Sequence, residues 1–343
     1  MRAVFDRIIP WFRANGRDLP FRAGRDPYRI WLSEIMLQQT RIEAAIPYYF
    51  RFLEALPTVA DLAACPEEKL LKLWEGLGYY SRARNLQRAA RVMTERFGAA
   101  LPPDYEALLS LPGVGEYTAG AIASIAFGLP EPAVDGNVLR VVARITGDER
   151  DVLDPRTRKD VRAKLKADYP RGAEAGDLTE GLMELGEVIC TPGAAPRCSA
   201  CPVRELCRAE KEKSFDRIPY RSPAKEKKTV PLTVFLLHCG DRFAVRCRVD
   251  PGLLHGLFEF PNLPGALSPE EAEKALRERG LSPLSLTPAK PGRHVFTHLI
   301  WEMTGYFAEL SSPDPAFLWQ TPADLAARIP LPTAFRPFLK QIK

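Results

Sequence analysis

The chain has 343 residues, 46% of them hydrophobic and 27% charged, with a formal net charge of +5. That composition supplies enough apolar material for two cores, and the positive balance tilts toward a polyanionic partner. No run of about 18 apolar residues is present, which argues against a membrane span. The amphipathic, charged start MRAVFDRIIPWFRANGRDLP is not a secretory signal.

A cytoplasmic, reducing compartment is therefore expected, in which the seven cysteines are ligands or buried thiols rather than disulfides. From about Pro27 to Ile218 apolar residues recur at three- and four-residue spacing, as in Ile30, Trp31 and Ile35, then Ile46, Tyr49, Phe50 and Leu53. Breaks at Pro57, 98–103 and 128–132 separate successive helices. The charged, proline-bracketed stretch RSPAKEKKTVP reads as linker. Beyond it, LTVFLLHC, RFAVRCR and HVFTHLIWEMTGYFAEL read as strands, and SPEEAEKALRERG as one helix with Ser268 as its N-cap. The expected architecture is a mainly α N-terminal region followed by a smaller α/β domain of about 110 residues.

Within the helical part, LPGVGEYTAG places bare backbone at the mouth of a helix. Glycines lacking Cβ let backbone N–H groups approach an anion, and the helix adds the positive end of its dipole. Gly113, Val114 and Gly115 are thus candidates for phosphate contact, in a pattern that matches a helix-hairpin-helix.

Cys190, Cys198, Cys201 and Cys207 follow in the spacing C-x7-C-x2-C-x5-C. Zinc competes as the ligand, since thiolates hold it well, but structural zinc sites usually pair two short knuckles. One CxxC flanked by wide spacings favours a [4Fe–4S] cluster.

Seven ordered blocks now fall into one pattern: WLSEIMLQQTRI, LWEGLGYYSRARNL, LPGVGEYTAGAI, VDGNV, the cysteine loop, GLLHGLFEFP and HVFTHL. Together they resemble the endonuclease III superfamily of base-excision glycosylases and, within it, the MutY-type adenine DNA glycosylases. The resemblance spans nearly the whole chain. It implies a helical region over 1–218, with a six-helix barrel core at about 27–132 and an iron–sulfur module from 1–26 and 133–218. A linker over 219–231 and a Nudix (MutT)-like domain over 232–343 complete it.

The resemblance also implies a reaction: hydrolytic removal of adenine paired with 8-oxoguanine or guanine in duplex DNA, by a monomer, with the target base flipped out. Glu34, on an apolar helix stripe that raises its pKa, is expected to protonate adenine, and Asp135 to stabilise the oxocarbenium ion or attack it. Asn137 is a positioning group, and Glu180 a further active-site carboxylate. Tyr117 stands where bifunctional relatives have a Schiff-base lysine, which implies a monofunctional enzyme; the tyrosine is expected to hydrogen-bond the aspartate. Leu37, Gln39 and Tyr79 are expected to wedge into the duplex, with Thr40 nearby.

In the second domain Phe296, Thr297 and His298 are implied to read the lesion, with Thr297 where relatives usually have serine. The helix SPEEAEKALRERG lacks the glutamate pair of a hydrolytic Nudix site. His294 and His298, read as one extended strand, stand too far apart to share an ion. Leu139 occupies a position that is lysine in some relatives, and the first cysteine spacing is seven residues where relatives mostly have six. Two rival readings are an endonuclease III-like glycosylase/lyase, disfavoured by Tyr117, and a non-catalytic iron–sulfur DNA-binding protein.

Overall fold

A computed structural model describes residues 1–193, 195–223, 226–249 and 252–342. Among the described residues, twelve α-helices come first: α1 (Arg2–Asn15), α2 (Pro27–Leu37), α3 (Ile42–Ala55), α4 (Val59–Ala64), α5 (Glu67–Leu73) and α6 (Ser81–Arg96). They continue with α7 (Tyr105–Leu109), α8 (Glu116–Ile125), α9 (Gly136–Thr146), α10 (Pro155–Lys166), α11 (Ala173–Val188) and α12 (Arg208–Glu212). Then follow strands β1 (Lys228–Cys239), β2 (Arg242–Cys247), β3 (Phe258–Glu259) and β4 (Asn262–Pro264), helix α13 (Pro269–Arg277), strands β5 (Pro283–Val295), β6 (Leu299–Leu310) and β7 (Leu318–Gln320), and short helices α14 (Pro322–Ala327) and α15 (Arg336–Leu339).

The contacts divide the chain into one unit of Met1–Cys65 and Ser81–Pro223 and another of Pro66–Tyr80 and Ala224–Lys343. Residues 66–80 therefore group with the C-terminal part, whereas the expected division places them in the helical region 1–218, within the barrel core at about 27–132. Within that second unit Lys72 Nζ donates to the carbonyls of Ala326 and Ile329, at 2.7 and 3.2 Å. Spacing alone carries no trace of this, because the contact joins residues more than 250 positions apart. The expected linker is also shorter, since strand begins at Lys228.

In the first unit, α2 and α8 are buried along most of their length. Eight residues of each, Tyr28 and Ile30 through Met36 on α2 and Thr118 through Ile125 on α8, are buried. Such helices are apolar nearly all round and sit inside a bundle. Asp26 starts α2, accepting the Arg29 N–H at 2.8 Å with Pro27 in the first turn. Arg82 ends it: Nη1 donates to the carbonyls of Ile35 and Gln38, both at 2.7 Å. These bonds satisfy carbonyls that the helix leaves open. A second core joins α1, α9, α10 and α11 through Phe5, Ile8, Val138, Leu139, Val142, Leu165, Leu178 and Leu185. Leu139 is a packing residue there, 2% exposed.

The second unit is a seven-stranded sheet of order β3-β2-β1-β6-β5, with β4 on β1 and β7 on β2. β1 and β6 run parallel, and the other pairs are antiparallel. Alternation along β1 sends Leu232, Val234 and Leu236 to one core and Phe235 and Leu237 to another. The second of these cores is covered by α13 through Ala272 and Leu276.

β5 was not legible as a strand, because PLSLTPAKPGRHV carries three prolines. It is tolerated as the edge strand, with an irregularity between Ala289 and Gly292. The stretch read as one strand from His294 onward is instead the end of β5, a turn and β6, closed by the Phe296 N–H donating to the Leu299 carbonyl at 2.8 Å. His294 and His298 thus flank a turn, and the extended-strand distance between them does not apply.

Candidate active site

A cavity of about 740 Å³ opens between the C-terminal end of α2, the start of α8, the 135–137 turn and α11. Glu34, Leu37, Gln39, Thr40, Gly115, Tyr117, Asp135, Asn137 and Glu180 all line it, although they come from four separate stretches of chain.

Glu34 is 8% exposed. Burial pushes its carboxyl up to about 7; the Tyr117 hydroxyl works against this, while Asp135 and Glu180 add to it. The Tyr117 hydroxyl donates to Glu34 Oε2 at 2.6 Å. This corrects the expected pairing with the aspartate. Tyr117 is the second residue of α8 and faces the buried face of α2, whereas Asp135 already has its own partners. Burial, with Glu34 and Asp135 nearby, raises the phenol well above its ordinary value, so it remains a donor.

Asp135 is the N-cap of α9. It accepts the Val138 N–H at 2.7 Å and Asn137 Nδ2 at 3.1 Å. Burial still pushes it above the ordinary carboxylate value, against the pull of the Val138 N–H, Arg140 and Asn137. The polar turn is therefore less open to solvent than DGN suggests. Close approach of α11 fixes Asn137 from the other side: a Cβ on Gly186 would lie 2.7 Å from Asn137 Cβ. Glu180 is pushed by burial up to about 7, opposed by Arg22, whose Nε lies 3.3 Å from its Oε1.

Several residues at this site were not anticipated. Arg22 bridges Glu180 and Glu184, the latter at 2.8 Å, and Arg17 Nε donates to Glu184 at 2.6 Å. Met183 Sδ lies 3.8 Å from the Tyr117 hydroxyl. Arg140 donates to Asn137 Oδ1 at 2.7 Å and to the Cys190 carbonyl at 2.8 Å. Its place three residues after Asn137, on the same face of α9, was the one available signal.

At the hairpin, Gly113 has φ +77°, and a Cβ there would lie 2.5 Å from Asn85 Cβ. Val114 is 6% exposed and its N–H bonds the Leu111 carbonyl at 3.1 Å. Its side chain and N–H are thus spent inside the protein, contrary to the contact role expected of it. Gly115 is the N-cap of α8, with no side-chain cap and open space where a Cβ would stand. Gln39 and Tyr79 are exposed non-glycine residues in left-handed backbone, with φ 60° and 44°. Such strain is found where surroundings impose it. In the second unit Phe296 packs edge-on to His294 and Trp301, with ring centroids 4.4 and 4.9 Å apart. It anchors the turn, while Thr297 and His298 at the tip are exposed. Phe296 itself stays half-buried.

Cys190, Cys198, Cys201 and Cys207 line one small pocket with Ile189, Val203 and Arg144. Burial pushes the Cys198 thiol up to about 11 and the Cys201 thiol up to about 12, so thiolates there require a compensating cation. Arg144, 1% exposed, donates to the carbonyls of Thr191, Gly193 and Ile218 at 2.8, 2.7 and 2.9 Å. It thereby holds the loop's shape. Four sulfur donors around an apolar pocket fit an iron–sulfur cluster. Among the described residues, no three His, Cys, Asp or Glu side chains converge as a single ion requires.

A helical core with a glycine hairpin beside a buried carboxyl, joined to a sheet domain, defines a class. Residues 32–170 match the HhH-GPD superfamily of base excision DNA repair proteins, and residues 233–341 match the NUDIX domain. The helical part is similar to a thermostable thymine-DNA glycosylase, at 30% identity and TM-score 0.56, covering 62% of this chain and 96% of that one. It is also similar to a trapped endonuclease III–DNA covalent intermediate, at 27% identity and TM-score 0.52, with the same coverage.

Adenine DNA glycosylases are similar over most of the length. That of Rattus norvegicus is 34% identical over 90% of this chain and 71% of its own. The relative from Buchnera aphidicola of Acyrthosiphon pisum is 31% identical over 85% and 83%. That of Arabidopsis thaliana is 36% identical, but this chain spans only 49% of its length. The chain belongs to the adenine DNA glycosylases, a family of DNA N-glycosylases. Among the described residues, no helix is long and apolar enough to cross a membrane.

Proposed function

We propose that this chain is a monofunctional glycosylase that binds duplex DNA as a monomer and removes adenine paired with 8-oxoguanine or guanine. The observation that carries the reading is the Glu34–Tyr117 pair. A buried carboxyl raised to about 7 keeps its proton near neutrality, and the phenol 2.6 Å away fixes its direction.

Glu34 gives its proton to N7 of the flipped adenine. The C1′–N9 bond breaks with its electron pair leaving on the base, and Asp135 meets the cationic sugar as a charge stabiliser or short-lived nucleophile. Water then adds at C1′ as Glu34 recovers a proton. Asn137 orients Asp135, and Glu180, tethered to Arg22, shapes the charge of the cavity.

Leu37, Gln39 and Tyr79 are assigned to the gap left by the base, with Thr40 beside them, and the hairpin at Gly113 and Gly115 to the DNA backbone. Thr297 and His298 are assigned to the opposite base. Cys190, Cys198, Cys201 and Cys207 would hold a [4Fe–4S] cluster, which supplies the cation that four buried thiolates need.

The test is a single-turnover incubation with duplex containing adenine opposite 8-oxoguanine, read before and after alkali. Strand breaks only after alkali support the reading. Breaks without alkali would indicate a lyase, and none at all would leave a DNA-binding protein without this chemistry.

A further inference from the structure

Helix α10, PRTRKDVRAKLK, carries six basic residues and one acidic, a local excess equal to the +5 of the whole chain. Its buried row is Thr157, Val161 and Leu165. With 3.6 residues per turn, Arg158, Lys159, Arg162 and Lys166 fall on one side of that row, and Arg156 and Lys164 on the other.

The two halves of the first flank are used differently. Glu131 takes up Arg162 and Lys166, at 2.6 and 2.7 Å, and the Arg162 guanidinium also lies over the Tyr105 ring at 4.6 Å. That part is tied into the protein. Arg158 and Lys159 are exposed, and no carboxylate lies within ion-pair range of either among the described residues. Arg158 lines the active-site cavity together with Gly115 and Asp135, where its Nη1 makes only a long contact with the Val134 carbonyl, at 3.4 Å. Arg158, lining the same cavity as the uncapped N-terminus of α8, and the exposed Lys159 next to it in the chain suit a phosphodiester backbone passing that cavity.

We propose that the first half of α10 is a second phosphate-binding face for duplex DNA, with Arg158 and Lys159 gripping the backbone beside the extruded nucleotide. The assignment rests on the DNA-glycosylase reading, but it is tested by binding alone, so loss of one does not mimic loss of the other.

Binding of the full-length protein to a fluorescein-labelled undamaged duplex is measured across a salt series. Two variants are compared: Arg158→Gln/Lys159→Gln and, on the opposite flank, Arg156→Gln/Lys164→Gln. Each removes the same charge. The first is expected to reduce the magnitude of the slope of log K against log salt by about 2, one for each lost phosphate contact, and the second to leave it unchanged. Should the first pair melt early, Lys159→Gln alone, at an exposed site, is expected to lower it by about 1. Unchanged slopes in the first pair, or equal losses in both pairs, would overturn the proposal, since the second result would report net charge rather than a site.

Discussion

Arg140 joins Asn137 to Cys190. One arm of its guanidinium donates to the Asn137 side chain at 2.7 Å and the other edge to the Cys190 carbonyl at 2.8 Å. Asn137 in turn donates to Asp135, so the cysteine loop and the carboxylate share a planar connector. A lysine keeps the charge but cannot make both bonds. Arg140→Lys is expected to slow single-turnover adenine release by roughly 10–100-fold, the usual scale for a group that orients a reacting one. Arg140→Met also removes the charge that lowers Asp135. Its pH–rate profile should therefore show the acid limb moved upward, whereas that of the lysine variant should not.

Glu34 predicts opposite pH responses of activity and stability on substitution. Its folded value of about 7 stands above the ordinary 4.5. Between those values the folded state keeps a proton that the unfolded chain has released, so rising pH costs stability until about 7 and no more beyond it. Glu34→Gln removes that penalty. The variant should be inactive yet more stable at pH 8, by about 3 kcal/mol, with the gain vanishing below pH 4.5. Thermal melts across that range read it. In the unaltered enzyme, single-turnover rates should fall as pH rises through 7, where the acid loses its proton.

Tyr117→Phe takes away the hydrogen bond that lowers Glu34. The alkaline limb of the rate profile should move to higher pH, while the maximal rate drops because the carboxyl is no longer aimed. A profile with unmoved limbs would mean the phenol has no hold on the proton.

The two hairpin glycines should behave differently. Gly113→Ala places a Cβ 2.5 Å from Asn85 Cβ at positive φ, and is expected to cost about 1–3 kcal/mol of stability. Gly115→Ala meets nothing within 4 Å and should leave the melting temperature nearly unchanged. If duplex affinity nevertheless falls for Gly115→Ala, the loss comes from the DNA side of the turn, because the protein side has room.

Cys198→Ser should abolish the yellow-brown colour and the broad band near ~400 nm expected of a bound cluster, with iron content falling in parallel. Since Arg144 and Arg140 both bond to the loop, its loosening should also lower the melting temperature. A colourless, zinc-replete unaltered protein would remove the iron assignment.

The sequence by itself determined which elements exist and what chemistry they could carry. Helical periodicity, the hairpin glycines and the cysteine spacing are local, and each is read within some 20 residues. Local pattern put Glu34 on the stripe of Ile30 and Trp31, while its desolvation followed from the family resemblance of the WLSE block. Tertiary structure decided what local pattern cannot express: Tyr117 turns to Glu34, Val114 inward and Phe296 onto Trp301, while residues 66–80 join the C-terminal unit. It also admitted three prolines to β5, because an edge strand has one row of N–H groups without a ladder to serve. Direction and partner depend on packing between distant segments. A period of 3.6 or 2 fixes only the face on which a residue lies.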